Sequence, residues 1–178
     1  MLNIDETVMV LVDVQGKLAR LMDGFDTLAA NIEILLKSAK ILEIPILWCE
    51  QNPQALGGTI DSLAEILQGQ KPIEKLKFSC CTNEFMERLV VSGRRQVLLC
   101  GIESHICVCQ SASELLRGDY EVFVIGDAVS SRTAENKLLA LERMRDEGVK
   151  VYSTEMALFE LLRTAKHEQF KEIARLVK

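Results

Sequence analysis

The sequence predicts an α/β domain, doubly wound and three layers deep, around a mainly parallel sheet of six strands. Three observations predict it. Short β-rich apolar segments alternate with helical stretches about every 25 to 35 residues, the rhythm of stacked βαβ units. Two strand segments, VMVLV at Val8–Val12 and VLLC at Val97–Cys100, are apolar without alternation, as expected where helices cover both sheet faces. The chain's 178 residues, 48% of them hydrophobic, are enough for one core. No Pro-rich or Ser/Gly-rich linker divides it, so residues 1–178 read as a single domain.

The elements follow in order. The first strand spans Thr7 to Asp13. A long helix follows, because Leu28, Ile32, Leu35, Leu36, Ala39 and Leu42 recur at spacings of three and four. The second strand spans Ile44 to Cys49, and Gly57-Gly58 and Gly69 mark turns. A weaker third strand spans Ile73 to Phe78, and the fourth runs from Gln96 to Cys100. Ile106, Val108, Ala112, Leu115 and Leu116 then recur helically, with Ser104 as a helix start. The fifth strand spans Glu121 to Ile125. Leu138, Leu139, Leu141 and Met144 form a helix that Gly148 stops just beyond Glu147. The sixth strand is Val149 to Tyr152, and His167 to Lys178 reads as a final docked helix.

Composition excludes several classes. A net charge of −5 and a pI near 5.2 argue against a nucleic-acid partner, which would call for a basic stripe. The longest apolar runs fall far short of the roughly 20 residues a bilayer span requires, so no membrane partner is expected. The opening MLNIDETVMV has no basic n-region and no cleavage site, which points to the cytoplasm, where thiols stay reduced. Cys49, Cys80 and Cys100 then read as small hydrophobes. Cys107 and Cys109 form a CxC without a second pair at zinc spacing, and His105 and His167 are the only histidines. No metal and no cofactor are expected.

In open parallel sheets ligands bind at the carboxyl ends of the strands. The polar residues there are Asp13, Glu50-Gln51, Lys75 and Lys77, the Gly101–Cys107 turn and Asp127. Asp13, after five apolar residues, is placed for a shifted pKa, and equally placed to cap the next helix. Cys107 falls near a helix start, where the dipole and unpaired N–H groups favour a thiolate; a packed helix cysteine is the commoner role for such a residue. Lys75 and Lys77 share a strand face, so alternation does not choose between them.

DVQ at Asp13–Gln15, K-x-x-x-S at Lys75–Ser79, GIESHICV at Gly101–Val108, GDYEVFVIGDAVSSR at Gly118–Arg132 and the late TEMALFELL together resemble the isochorismatase-like cysteine hydrolases, the superfamily of the nicotinamidases. The resemblance spans nearly the whole chain. It implies a triad of Asp13, Lys75 and Cys107, with the K-x-x-x-S spacing selecting Lys75. It also implies a non-proline cis peptide at Ile102–Glu103 and an oxyanion hole from the N–H groups of Glu103 and Cys107. Gln51 and Glu103 are candidate pocket residues. Nicotinamidases add an Asp/His metal motif after the second strand, where this chain reads EQNPQALGGT without histidine. Isochorismatases proper lack the cysteine. The expected reaction is therefore metal-independent hydrolysis of a small amide-like C–N bond through a thioester. The substrate would be a small molecule and the protein a homo-oligomer. The rival reading is a non-catalytic or redox-responsive α/β binding module. A nuclease is a weaker third, since neither phosphate-binding basic residues nor metal carboxylates are arranged for it.

Overall fold

Every residue of Thr7–Val12 is buried, which suits a central strand covered on both faces. The computed structural model describes residues 1–178 and shows that sheet. Strands β1 (Thr7–Val12), β2 (Ile46–Gln51), β3 (Ile73–Lys75), β4 (Gln96–Ile102), β5 (Glu121–Ser130) and β6 (Lys150–Tyr152) lie in the order β3-β2-β1-β4-β5-β6. All neighbouring strands are parallel. The helices are α1 (Gly16–Ala19), α2 (Phe25–Ile41), α3 (Pro53–Leu56), α4 (Asp61–Ala64), α5 (Asn83–Ser92), α6 (Cys109–Arg117), α7 (Ala134–Asp146), α8 (Thr154–Leu162) and α9 (Phe170–Leu176). None is long and apolar enough to cross a membrane.

Alternation along each strand feeds two cores. Met9, Leu11, Leu98 and Phe123 pack with α2, α4, α8 and α9 on one face. Val8, Val10, Val97, Leu99 and Val124 pack with α5, α6 and α7 on the other. Side-chain caps from Thr82, Thr133 and Ser153 fix where α5, α7 and α8 begin.

Four strands differ from the sequence reading by one or two residues at one end or both, and the third and fifth differ by more. The third strand stops at Lys75 instead of continuing to Phe78, because the carbonyls of Lys77 and Phe78 turn back to accept from Lys75 Nζ. A backbone wrapped around one ammonium cannot stay extended. The fifth strand runs on to Ser130, through a register shift opposite Leu99–Gly101. Asp127 therefore lies inside β5. Its Oδ1 accepts from Thr154 N at 2.8 Å and Thr154 Oγ1 at 2.9 Å, which ties it to the start of α8.

The strand order reverses between β1 and β4, the switch point at which such sheets open a crevice. Gly101 sets how closely those two strands approach there. Its φ is +120°, and a Cβ at that position would stand 2.1 Å from the Val12 carbonyl oxygen. Gly101→Ala should therefore destabilise the fold by at least about 3 kcal/mol, combining a backbone clash with a left-handed φ. Urea unfolding measures it. A loss under about 1 kcal/mol would show that β1 and β4 can separate without penalty.

Candidate active site

Asp13 follows β1 directly and adopts φ 51°, a left-handed conformation uncommon outside glycine. Its carboxylate is almost wholly buried, and Oδ2 accepts from Lys75 Nζ at 2.6 Å. Lys75, the last residue of β3, is reached across the intervening β2. Its ammonium also donates to Gln51 Oε1 at 2.9 Å and Phe78 O at 2.9 Å, with Lys77 O at 3.3 Å. Gln51 is itself held by Gln15, whose Oε1 accepts from Gln51 N at 2.6 Å and whose Nε2 donates to Gln51 O and Gly57 O. The glutamine of DVQ is thus a buried clamp between the β1 and β2 ends.

Beyond β4 the peptide between Ile102 and Glu103 is cis. The chain then makes a wide i→i+5 turn over Ser104–Val108 before α6 begins at Cys109. Single wide turns of this kind recur at functional sites. Cys107 sits in that turn, buried, and the Glu103 N–H makes no hydrogen bond within the chain. Two residues after β5 brace the turn. Arg132 N and Nε each donate to Glu103 Oε2 at 3.1 Å, and His105 Nδ1 lies 2.9 Å from Ser131 Oγ.

Asp13, Gln51, Ile102, Glu103 and Cys107 line one cavity of about 110 Å³, closed by apolar side chains that include Phe78. The structure thus brings Asp13, Lys75 and Cys107 together and sets Gln51, Ile102 and Glu103 in the same wall. Lys77 lies outside, exposed and paired with Glu114 at 2.8 Å. Glu50, a strand-end residue, is turned to structure: its Oε1 accepts from Thr59 N at 2.7 Å and Thr59 Oγ1 at 2.8 Å, while Trp48 Nε1 donates to Thr59 Oγ1. No three His, Cys, Asp or Glu side chains converge as metal ligands.

The electrostatics depart from the sequence reading, in which a helix start and Lys75 favour a thiolate. Burial pushes the Cys107 thiol up to about 12, the Asp13 charge adds to that, and Lys75 opposes it without prevailing. Burial also raises Asp13, against the pull of Lys75. Burial is the largest influence on Lys75 and would lower it, but the Asp13 charge and hydrogen bond, together with the Cys80 and Cys107 thiols, outweigh burial and leave its pKa raised. At neutral pH the Cys107 thiol is protonated and stands against the Asp13 carboxyl group, whose Oδ1 is buried and has no other partner. Sequence reasoning passed over Arg132, Ser131 and the Gln15 clamp, whose partners lie 26 to 42 residues away.

The isochorismatase domain family matches residues 7–156 of this chain. Isochorismatase domain-containing protein 2 of Danio rerio is 39% identical over 172 residues, covering 96% of this chain and 86% of its own. The structure of the MAR1 ribonuclease from Caenorhabditis elegans superposes with a TM-score of 0.94 at 33% identity, covering 99% of this chain and 91% of that one. The ycaC gene product of Escherichia coli, described as an octameric hydrolase of unknown specificity, gives 0.92 at 22% identity, covering 98% and 88%.

Lys75→Met should cost about 3–5 kcal/mol, because it leaves the Asp13 carboxylate buried without its partner. Without Lys75, the folded-state pKa of Asp13 rises further above its unfolded value of 3.8. The folded variant then binds more protons than the unfolded one, so its stability should fall as pH rises from about 4 towards that higher pKa. Adding Asp13→Asn should recover much of the loss. Urea melts of both variants at several pH values check this; a Lys75→Met protein as stable as wild type at pH 8 would rule out the pair as described.

Proposed function

The chain belongs to the isochorismatase family, and from that membership and the site's geometry we propose that it is a cysteine hydrolase of a small amide-like C–N bond. Its fold is that of an isochorismatase-family hydrolase. One observation carries the finer reading: a protonated, buried Cys107 shares a small cavity with the Asp13 carboxyl group, whose Oδ1 has no partner besides that thiol.

In the proposed sequence, Asp13 takes the Cys107 proton as sulfur attacks the carbonyl carbon. The C–S bond forms and charge moves to the carbonyl oxygen, which the N–H groups of Glu103 and Cys107 receive. An oxyanion donor of this kind contributes roughly 3 to 4 kcal/mol to the transition state. As the intermediate collapses, Asp13 returns the proton to the departing nitrogen and a thioester remains. Asp13 then deprotonates water, which attacks the thioester, and the proton returns to sulfur as the acid leaves. Lys75 holds Asp13 in place throughout. We assign no metal to these steps, because the carboxylate and thiol supply the base and the nucleophile themselves.

A second reading, RNA cleavage, rests on the name of the Caenorhabditis elegans neighbour. The cavity's own chemistry disfavours it here. Its volume is about 110 Å³, its ionisable side chains are acidic, and the buried Lys75 is committed to Asp13, whereas a phosphodiester calls for free cationic donors. A binding module without catalysis would not account for a left-handed aspartate holding an unpaired oxygen beside a thiol. Exposed Val90 and Val91 on α5 and Leu138 and Leu139 on α7 support self-association, and we propose a homo-oligomer in a reducing cytoplasm.

A hydrolysis screen over small amides, carbamoyl compounds and ureides should find turnover that Cys107→Ala abolishes. EDTA should leave it intact. Lys75→Ala should lower it on the order of 10²-fold or more, while Lys77→Ala stays near wild type. RNA cleavage that persists in Cys107→Ala would point away from this site altogether.

The pH dependence has a defined sign. Asp13 must be ionised to accept the proton, and its pKa is raised from 3.8, so kcat/KM should fall with acidification through an apparent pKa above that value. A profile that stays flat down to pH 4 would exclude Asp13 as the base.

A further inference from the structure

Most side-chain hydrogen bonds of the cavity wall are already made, and the charge it carries is of one sign, on Asp13 and Glu103. Its polar side chains are Asp13, Gln51 and Glu103. Gln51 Nε2 already donates to Leu76 O at 2.9 Å, and its Oε1 already accepts from Lys75. Lys75 has three ammonium protons and four acceptors around them: Asp13 Oδ2, Gln51 Oε1, Lys77 O and Phe78 O. It has no proton left for a ligand. Two carboxylate oxygens remain open to a ligand: Asp13 Oδ1, buried with no partner besides the Cys107 thiol, and Glu103 Oε1, since Arg132 takes only Oε2. The free donors are all neutral: the second Gln51 Nε2 proton and the Glu103 backbone N–H, beside the Cys107 N–H assigned to the oxyanion.

Two carboxylate acceptors with only neutral donors beside them complement a carbonyl flanked by N–H groups. They are a poor match for a carboxylate, which brings only acceptors and a like charge. We infer that Glu103 is the specificity-determining residue of this site, reading the N–H groups of a small uncharged or cationic carboxamide or ureide and rejecting substrates that carry a carboxylate. The inference rests on the hydrolase reading above and narrows its substrate class. Arg132 sets the strength of the discrimination. Its side chain is 56% exposed while that of Glu103 is 8% exposed, so the counter-charge stands towards solvent and only partly offsets the anion within. The same charge acts on the product. Hydrolysis turns the bound carbonyl group into a carboxylate, which Glu103 and Asp13 then repel, so the group that selects the amide also favours release of the acid.

Two alkylating reagents of nearly equal size test this without knowledge of the substrate. Iodoacetamide presents a carboxamide and iodoacetate a carboxylate, and both lose iodide to the attacking sulfur. The readout is the rate at Cys107, followed by peptide mapping, as the amide-to-acid ratio normalised to that of a small thiol under the same conditions. That ratio should exceed the small-thiol value by about tenfold or more, a modest demand on a charge buried near the sulfur. Glu103→Gln, which keeps the shape and removes the charge, should shrink it about fivefold or more. Arg132→Gln should move it the other way, enlarging it by removing the offsetting cation. Opposite shifts from two partners in one ion pair are not what general loosening of the turn would produce. If Glu103→Gln does not fold, Arg132→Gln carries the test alone, because that side chain is largely exposed. A wild-type ratio near the small-thiol value overturns the inference and leaves the hydrolase reading standing; so does a Glu103→Gln or Arg132→Gln ratio that is unchanged or shifts the other way. Failure of both reagents to alkylate Cys107, while other cysteines react, overturns both.

Discussion

The buried pair of Asp13 and Lys75 is the constraint to which the rest of the site answers. Removing two charges from water costs several kcal/mol each, and attraction between them recovers that only with good geometry and further hydrogen bonds. The chain supplies both from distant parts of the sequence. Gln15 fixes Gln51, Gln51 accepts from Lys75, and the backbone after β3 curls so that two carbonyls face the ammonium. The short third strand, the left-handed Asp13 and the buried glutamine clamp all serve this one contact between residues 62 positions apart.

What could be read in advance follows the range of the interactions involved. Continuously apolar segments announce a parallel sheet, and the rule that ligands gather at strand ends places Asp13 and the turn holding Cys107 in one crevice. Local patterning ends where the chain responds to a partner it cannot show. Alternation left Lys75 and Lys77 equivalent; only the resemblance, through Ser79, favoured Lys75. In the structure one is sealed against Asp13 and the other is exposed beside Glu114. Asp127 reads as a strand end because Gly126-Asp127 interrupts an apolar run, yet β5 continues past it, and its carboxylate anchors α8 instead.

The brace from the end of β5 explains how a turn can hold a nucleophile without a regular helical start. Val108 N donates to Glu103 O, closing the wide turn, but this leaves the side chains of Glu103 and His105 to find partners elsewhere. Arg132 and Ser131, just beyond β5, engage those two side chains. Orientation of Cys107 therefore depends on the β4–β5 register as well as on the turn's own bonds. The register shift opposite Gly101 lies in that same stretch.

The protonation pattern follows from counting charges in a closed space. The Lys75 ammonium faces two groups able to carry a negative charge, Asp13 and Cys107, while Glu103 is paired separately with Arg132. With burial raising the pKa of both acidic groups, one anion is all that a single cation can balance. The site therefore has two states of equal net charge: carboxylate with thiol, or carboxylic acid with thiolate. Moving the proton between them transfers no charge to or from solvent, so it avoids the desolvation cost of ionising an isolated cysteine in the same place. A thiol held near 12 is consequently no obstacle to attack. It keeps the sulfur unionised until an electrophile in the cavity draws off the electron density that the proton leaves behind, and it assigns the proton to Asp13, the group placed to return it to the departing nitrogen.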